Sequence, residues 1–300
     1  MNTSNASGAE GATCPVGTDS RLVNIGPGAP LAIIAGPCVL ESLELGSEVA
    51  EAVSGRCREL GLGYIFKASF DKANRSSINS ARGPGLERGT GWIRDIGQQF
   101  GCPTTTDLHE PAQAEPVAAA VDLLQIPAFL CRQTDLLVAS GNAAATHGRA
   151  VNVKKGQFVS PSEMRGPVRK LAEAGCDRVI LTDRGTFFGY HRLVNDFAGL
   201  GDMMELDRTG FSDLGSPPVC FDATHSCQTP GSGETTGGRR ERAPLLARAA
   251  VAAGVHCVFM EVHPDPQNAM SDASTQLDIP TAMDVLGQLA AIRGALETRS

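Results

Sequence analysis

LAIIAGPCVLES, residues 31–42, is an apolar run from Leu31 to Ala35 that stops at Gly36-Pro37 and is succeeded at once by a thiol, Cys38. The run reads as a buried strand, and the residues just after it select the architecture. An open doubly wound sheet carries a glycine-rich G-x-G-x-x-G turn after its first strand. AGPCVLES has no such turn. Working outward, similar apolar or β-branched runs recur as YIFKAS, PTTTD, LLQIP, AVNVKK, RVILTD, PVCFDA and CVFMEV. Helix-like stretches lie between most of them, among them Leu43 to Leu60, Leu86 to Phe100, Ser160 to Ala174 and Pro244 to Ala253. Ser160-Pro161 reads as an N-cap followed by proline in the first turn. Gly61, Gly101, Gly175 and Gly254 stand where helices should stop, at positions that favour positive φ. Thr281 to Thr298 again has apolar residues at helical spacing. Eight strands, each followed by a helix or a helix-sized insert, predict a single-domain α/β fold, the (β/α)8 TIM barrel, over residues 21–300. Residues 1–20 are small, polar and glycine-rich and predict a disordered tail. RLVNIG, residues 21–26, predicts a short strand ahead of the barrel.

Composition narrows the class. A chain of 300 residues suits one α/β barrel. The net charge of −7 and the lack of a long basic run argue against nucleic-acid binding, so any anion site must come from clustered cations. No long apolar run suggests a membrane span. Nine cysteines, an odd number without C-x-x-C pairs, predict reduced thiols in the cytoplasm.

The barrel reading makes a chemical prediction, because such folds place their chemistry at the C-terminal ends of the strands. Those ends carry Cys38, Lys67, Asp107 with His109, Lys154-Lys155, Asp183-Arg184, His225, and Glu261 with His263. One polar group at a strand end is usually a loop cap; so many at one mouth are not. The set divides in two. Lys67, Lys72, Arg75, Lys154 and Arg184, with Asn74, Ser76 and Ser77, suit the oxygens of more than one phosphate or carboxylate. Lys67 lies between Phe66 and Ala68, where a solvated lysine seldom sits. The other half is Cys38, His225, Glu261 and, on a later loop, Asp272. Thiolate, imidazole and carboxylate suit Zn2+, Fe2+ or Mn2+, although the spacing carries no signal because the residues come from distant strands. His263 competes as a ligand if its strand continues; Pro264 argues that it ends. The glycine-rich insert at residues 226–244 reads as a lid, and residues 263–280 bring Asp272 back over the mouth.

These motifs, IAGPCVLES, FKASFDKANRSS, TTDLHEP, IPAFLCRQTDLL, VNVKKGQF, TDRGTFFGY, FDATHS and FMEVHPDP, occur in order over about residues 31–280. Together they resemble the 3-deoxy-D-manno-octulosonate 8-phosphate (Kdo-8-phosphate) synthase family. The resemblance implies a (β/α)8 barrel, usually a homotetramer. It also implies condensation of phosphoenolpyruvate with arabinose 5-phosphate for lipopolysaccharide biosynthesis. The related 3-deoxy-heptulosonate (DAHP) synthases take erythrose 4-phosphate and carry a KPRTS-like motif where this chain has KANRSS; sialic acid synthases are more distant. The family has a metal-independent class with asparagine at the position of Cys38 and a metal-dependent class with cysteine. The resemblance thus implies a divalent metal on Cys38, His225, Glu261 and Asp272. It assigns Lys67, Lys72, Lys154 and Arg184 to phosphoenolpyruvate, and Asn74, Arg75 and Ser76 to the pentose phosphate. Asp107 and Gln157 are assigned to the sugar, and Arg132 to a neighbouring subunit's sugar phosphate. His191 stands where the family leads us to expect asparagine, past the catalytic part of its motif. The N-terminal tail has no counterpart.

Overall fold

The computed structural model describes residues 11–74, 81–230 and 237–298. Eight parallel strands close in chain order, the last pairing with the first. They are β1 (Ala32–Gly36), β2 (Gly63–Lys67), β3 (Thr104–Asp107), β4 (Leu123–Ile126), β5 (Ala150–Lys154), β6 (Val179–Asp183), β7 (Val219–Asp222) and β8 (Cys257–Glu261). The α-helices between and after them are α1 (Leu43–Leu60), α2 (Leu86–Phe100), α3 (Ala114–Ala120), α4 (Thr134–His147), α5 (Arg165–Glu173), α6 (Phe197–Met204), α7 (Ala243–Ala252) and α8 (Ile279–Glu297).

The helices begin and end for local reasons. Ser42 Oγ accepts the Leu45 N–H at 3.1 Å to cap α1, and Asp278 does the same for Thr281 at α8. Gly61, Gly101, Gly175 and Gly254 all have positive φ, as the sequence predicts. The expected helix from Ser160 begins instead with a 3-10 turn at Ser162–Met164, and α5 starts only at Arg165. Ser160 is tied to Glu163 Oε2 through both its N–H and its hydroxyl.

Every residue of β1, β5, β6 and β8 is buried, because one face meets the barrel interior and the other meets the helices. Strand alternation separates two layers. Ile33, Phe66, Leu124, Val151 and Val258 pack with the helices. Ile34, Ile65, Leu123, Ala150, Ile180, Cys220 and Phe259 pack together inside the barrel. Two residues further along the strands, the same face presents Lys67, Gln125, Asn152, Thr182, Asp222 and Glu261. The lower layer is apolar, and each large side chain there contributes about 1.5–3 kcal/mol. That burial offsets the polar layer above it, which is stitched by hydrogen bonds. Asn152 donates to Gln125 at 3.4 Å, and Thr182 donates to Asn152 at 2.7 Å.

The floor corrects one expectation. Cys14–Val16 pairs antiparallel with Val23–Ile25, and Cys14, Val16 and Ile25 join the inner apolar layer. Residues 14–16 therefore belong to the domain and not to a tail spanning 1–20. Alternate apolar side chains close the barrel floor, a pairing that composition alone hides. Residues 1–10 lie outside the described residues. Among the described residues, no helix is long and apolar enough to cross a membrane.

Candidate active site

The β8–β1 register places Glu261 opposite Gly36, so the ends of these strands lie side by side. Gly36 is obligatory for this approach: a Cβ there would lie 1.9 Å from the Lys67 carbonyl oxygen. Cys38 comes next, with its N–H held by Gln276 Oε1 at 3.0 Å and its Sγ 3.2 Å from Asp272 Oδ2. Ligand atoms of Cys38, Glu261 and Asp272 lie within 4.8 Å of one another. His225 Nε2 stands 3.6 Å from both Glu261 Oε1 and Asp272 Oδ2. Asp272 reaches this corner with φ of 48°, a left-handed conformation that aspartate tolerates better than most residues. Glu261 Oε2 is buried without a hydrogen-bond partner, which is costly for a carboxylate oxygen. A thiol, two carboxylates and an imidazole around an orphaned oxygen are compatible with a divalent cation. His263 is excluded from this corner: its Nε2 pairs with Glu41 at 3.2 Å and its Nδ1 accepts the Asp265 N–H.

The cations surround the same mouth. Lys67 Nζ donates to Glu261 Oε1 at 2.8 Å, and Lys72 Nζ donates to Ser69 Oγ at 2.9 Å. Lys154 Nζ donates to Asp222 Oδ2 at 2.6 Å and sits 3.6 Å from the centre of the Phe259 ring. Arg184 donates to the carbonyl oxygen of His225 at 3.0 Å. Burial works against the Lys154 ammonium and lowers its pKa, despite the attraction of Asp222. Burial opposes the Lys72 charge too, but its neighbours Cys38, Asp107, Glu261 and Asp272 raise its pKa overall. Burial likewise opposes the Glu261 and Asp272 carboxylates, and nearby His225 and lysine charges hold both below the usual carboxylate range.

A cavity of about 780 Å³ joins the two halves, lined among others by Lys67, Lys154, Arg184, His225, Glu261 and Asp272. Asp107, Lys72, Asn74 and Gln157 line it as well. Asp107 Oδ2 accepts from His109 Nε2 at 3.2 Å. Arg132 is exposed and is not part of the cavity wall; its carbonyl accepts from Lys170 Nζ. Arg75 and Ser76 lie outside the described residues.

The family model described as the DAHP synthetase I family matches residues 13–293. The chain belongs to the DAHP synthetase I family. Among curated proteins, a 2-dehydro-3-deoxyphosphooctonate aldolase of Desulfatibacillum aliphaticivorans is 50% identical over 91% of this chain and 96% of the relative. A protein of the same name from Desulfotalea psychrophila is 47% identical over 94% of this chain and 96% of the relative. Another, from Nitratidesulfovibrio vulgaris strain DP4, is 52% identical over 87% and 91%. The DAHP synthetase I match extends past residues 31–280 at both ends and takes in the hairpin that closes the barrel floor.

Within this DAHP synthetase I barrel, two residues that sequence reasoning passed over stand at the centre. Asp222 is fully buried beneath Lys154 and His225. Phe259 underlies both Lys154 and Lys67. The signal for each was parity: Asp222 is two residues beyond Cys220, and Phe259 two beyond Cys257, on the inward face of its strand.

Proposed function

We infer that the chain condenses phosphoenolpyruvate with D-arabinose 5-phosphate and water. The products are 3-deoxy-D-manno-octulosonate 8-phosphate and inorganic phosphate, as the names of its relatives imply. It is a transferase-class synthase of lipopolysaccharide biosynthesis. The structural observation that carries this reading is the single mouth where Lys67, Lys72, Lys154 and Arg184 meet Cys38, His225, Glu261 and Asp272. One face of it suits anionic oxygens and the other a cation.

In the reaction, C3 of phosphoenolpyruvate attacks the sugar aldehyde carbon, and the aldehyde oxygen takes up a proton. Positive charge develops at C2, where water adds and loses a proton. The bond from C2 to the phosphate oxygen then breaks as the new C2 hydroxyl gives up its proton to the departing phosphate, leaving a ketone and inorganic phosphate. Lys67, Lys72, Lys154 and Arg184 hold the phosphate and carboxylate of phosphoenolpyruvate while charge redistributes. Asn74, Arg75 and Ser76 receive the pentose phosphate, and Asp107 and Gln157 its hydroxyls. Cys38, His225, Glu261 and Asp272 would hold Zn2+, Fe2+ or Mn2+, a divalent ion that orients the reactants or polarises an oxygen when bound. Two of the cationic side chains are matched by buried carboxylates, Lys67 by Glu261 and Lys154 by Asp222. The exposed Arg132 suits a role in a neighbouring copy's site, and a homotetramer is the proposed working unit. Nine buried, unpaired cysteines favour a reducing cytoplasm.

Substrate competition tests the reading. With phosphoenolpyruvate saturating, kcat/KM for arabinose 5-phosphate is expected to exceed that for erythrose 4-phosphate by about 10,000-fold. A site built to hydrogen-bond a hydroxyl rejects the analogue lacking it. Comparable values for the two sugars would move the chain to the heptulosonate branch.

A further inference from the structure

Asp222 has no exposed surface, yet it is a carboxylate at the end of β7. Both of its oxygens are occupied. Oδ1 accepts the His225 N–H at 2.9 Å and the Thr224 hydroxyl at 3.2 Å. Oδ2 takes both Lys154 Nζ at 2.6 Å and His225 Nδ1 at 2.7 Å. Thr224 Oγ1 in turn accepts the Glu261 N–H at 3.1 Å. One buried carboxylate thus reaches the ammonium on the anion side, the imidazole beside the thiol–carboxylate corner and, through Thr224, the backbone of Glu261.

We propose that Asp222 is a positioning residue that locks His225 with the proton on Nδ1 and Nε2 open towards Cys38, Glu261 and Asp272. It simultaneously tethers Lys154 on the anion side, so that one side chain sets the metal corner and the anion corner in register. The proposal rests on the metal reading above. Asp222 Oδ2 also accepts from the Lys154 ammonium, so it is the acceptor of the pair and the proton of the hydrogen bond to His225 belongs to Nδ1. Nε2 faces Glu261 and Asp272 at 3.6 Å, too far for strong hydrogen bonds and suited to a shared cation. Outer carboxylates of this kind orient a ligating imidazole and increase its basicity. Lys154 shares the same oxygen, so its removal leaves the imidazole's bond to Asp222 in place and takes a positive charge away from the metal corner.

The test measures zinc affinity by competition with a chromophoric chelator, on the metal-stripped protein. Asp222→Asn is expected to weaken zinc binding by about 10- to 100-fold. Lys154→Met is expected to leave it unchanged or tighter. Equal weakening by both variants, or undiminished affinity in a folded Asp222→Asn protein, overturns the proposal. Thermal melts followed by circular dichroism establish folding. Should Asp222→Asn not fold, histidine-15N-labelled unmodified protein loaded with zinc decides instead. A proton on Nδ1 of His225 and ligation through Nε2 support the proposal, and the opposite tautomer overturns it. An unmodified chain that binds no zinc overturns both this inference and the metal reading, whereas tight binding untouched by Asp222→Asn overturns this inference alone.

Discussion

Cys38 occupies a site that a small apolar side chain could fill, yet its Sγ faces a carboxylate. Burial, then the negative charge of Glu261, pushes the thiol's pKa well above the ordinary value. A cation reverses that logic, because a coordinated thiol ionises outright. Cys38→Ala is therefore expected to lose bound metal and most turnover, by more than the roughly 10- to 100-fold cost of an outer hydrogen-bond partner. Chelator acting on the unmodified chain should have the same effect, reversed by adding a divalent ion. Cys38→Asn is the sharper change. An amide ligates these metals poorly but can hydrogen-bond where the ion sits. It is expected to hold little metal yet retain more activity than Cys38→Ala, with the remainder resistant to chelator. Metal content and turnover of both variants check this, and equal inactivity would mean that orientation cannot replace the ion. At this scale the sequence was legible for Cys38, Lys67 and Glu261, each interrupting or ending an apolar run. Asp222 stayed hidden because a carboxylate at a strand end looks like a loop cap until its partners are known.

Among the elements, β1 carries the tightest constraint. The strand must pass the end of β2 closely enough that Gly36 leaves no room for a side chain against the Lys67 carbonyl oxygen. Gly36→Ala is thus expected to force β1 and β2 apart at the mouth, with a loss of about 3 kcal/mol or more. It also shifts Cys38 away from Asp272 and Glu261. Urea denaturation measures the first effect and zinc affinity the second. A variant with unchanged stability would show that the two strand ends relax independently. The Gly-Pro stop after β1 was readable as the end of a strand, but not as a close approach, since the carbonyl it avoids lies 31 positions further along the chain. The caps at Gly61 and Gly101 were readable because helix termination is local; the hairpin at Cys14–Val16 was not, because its reason is the barrel floor.

Over the whole molecule, stability at mild acid is governed in part from the end of the barrel away from the site. His256, just ahead of β8, accepts the Val219 N–H on Nδ1 at 3.0 Å at the start of β7. Burial, and then the positive charge of Arg293, lowers its pKa from 6.5 to about 4. Above pH 6.5 the ring is neutral in both folded and unfolded chains. Between 6.5 and about 4 only the unfolded chain takes up the proton, so stability falls as pH falls. The loss reaches at most about 3 kcal/mol once both states are protonated. His256→Asn keeps an acceptor for Val219 and removes the titration. Denaturation curves at pH 7 and pH 4.5 are expected to separate less for this variant than for the unmodified chain. An identical pH dependence in the two proteins would assign the acid sensitivity to other groups.

Period and punctuation in the sequence determined the barrel itself: strands buried on both faces read as continuous apolar runs, and glycines mark where helices end. They determined as well that thiol, imidazole, lysine and carboxylate side chains stand at strand ends, because barrel chemistry belongs there. Only the tertiary structure decided which of these groups meet. Closure in the order β8–β1–β2 set Glu261 beside Cys38 and Lys67, turned His263 towards Glu41 and brought Asp272 back from a later loop. It alone placed Asp222 under both His225 and Lys154. The physical reason is that strand alternation is a property of neighbours in sequence. Pairing inside a closed barrel depends on register between strands separated by helices, and no short-range pattern encodes it.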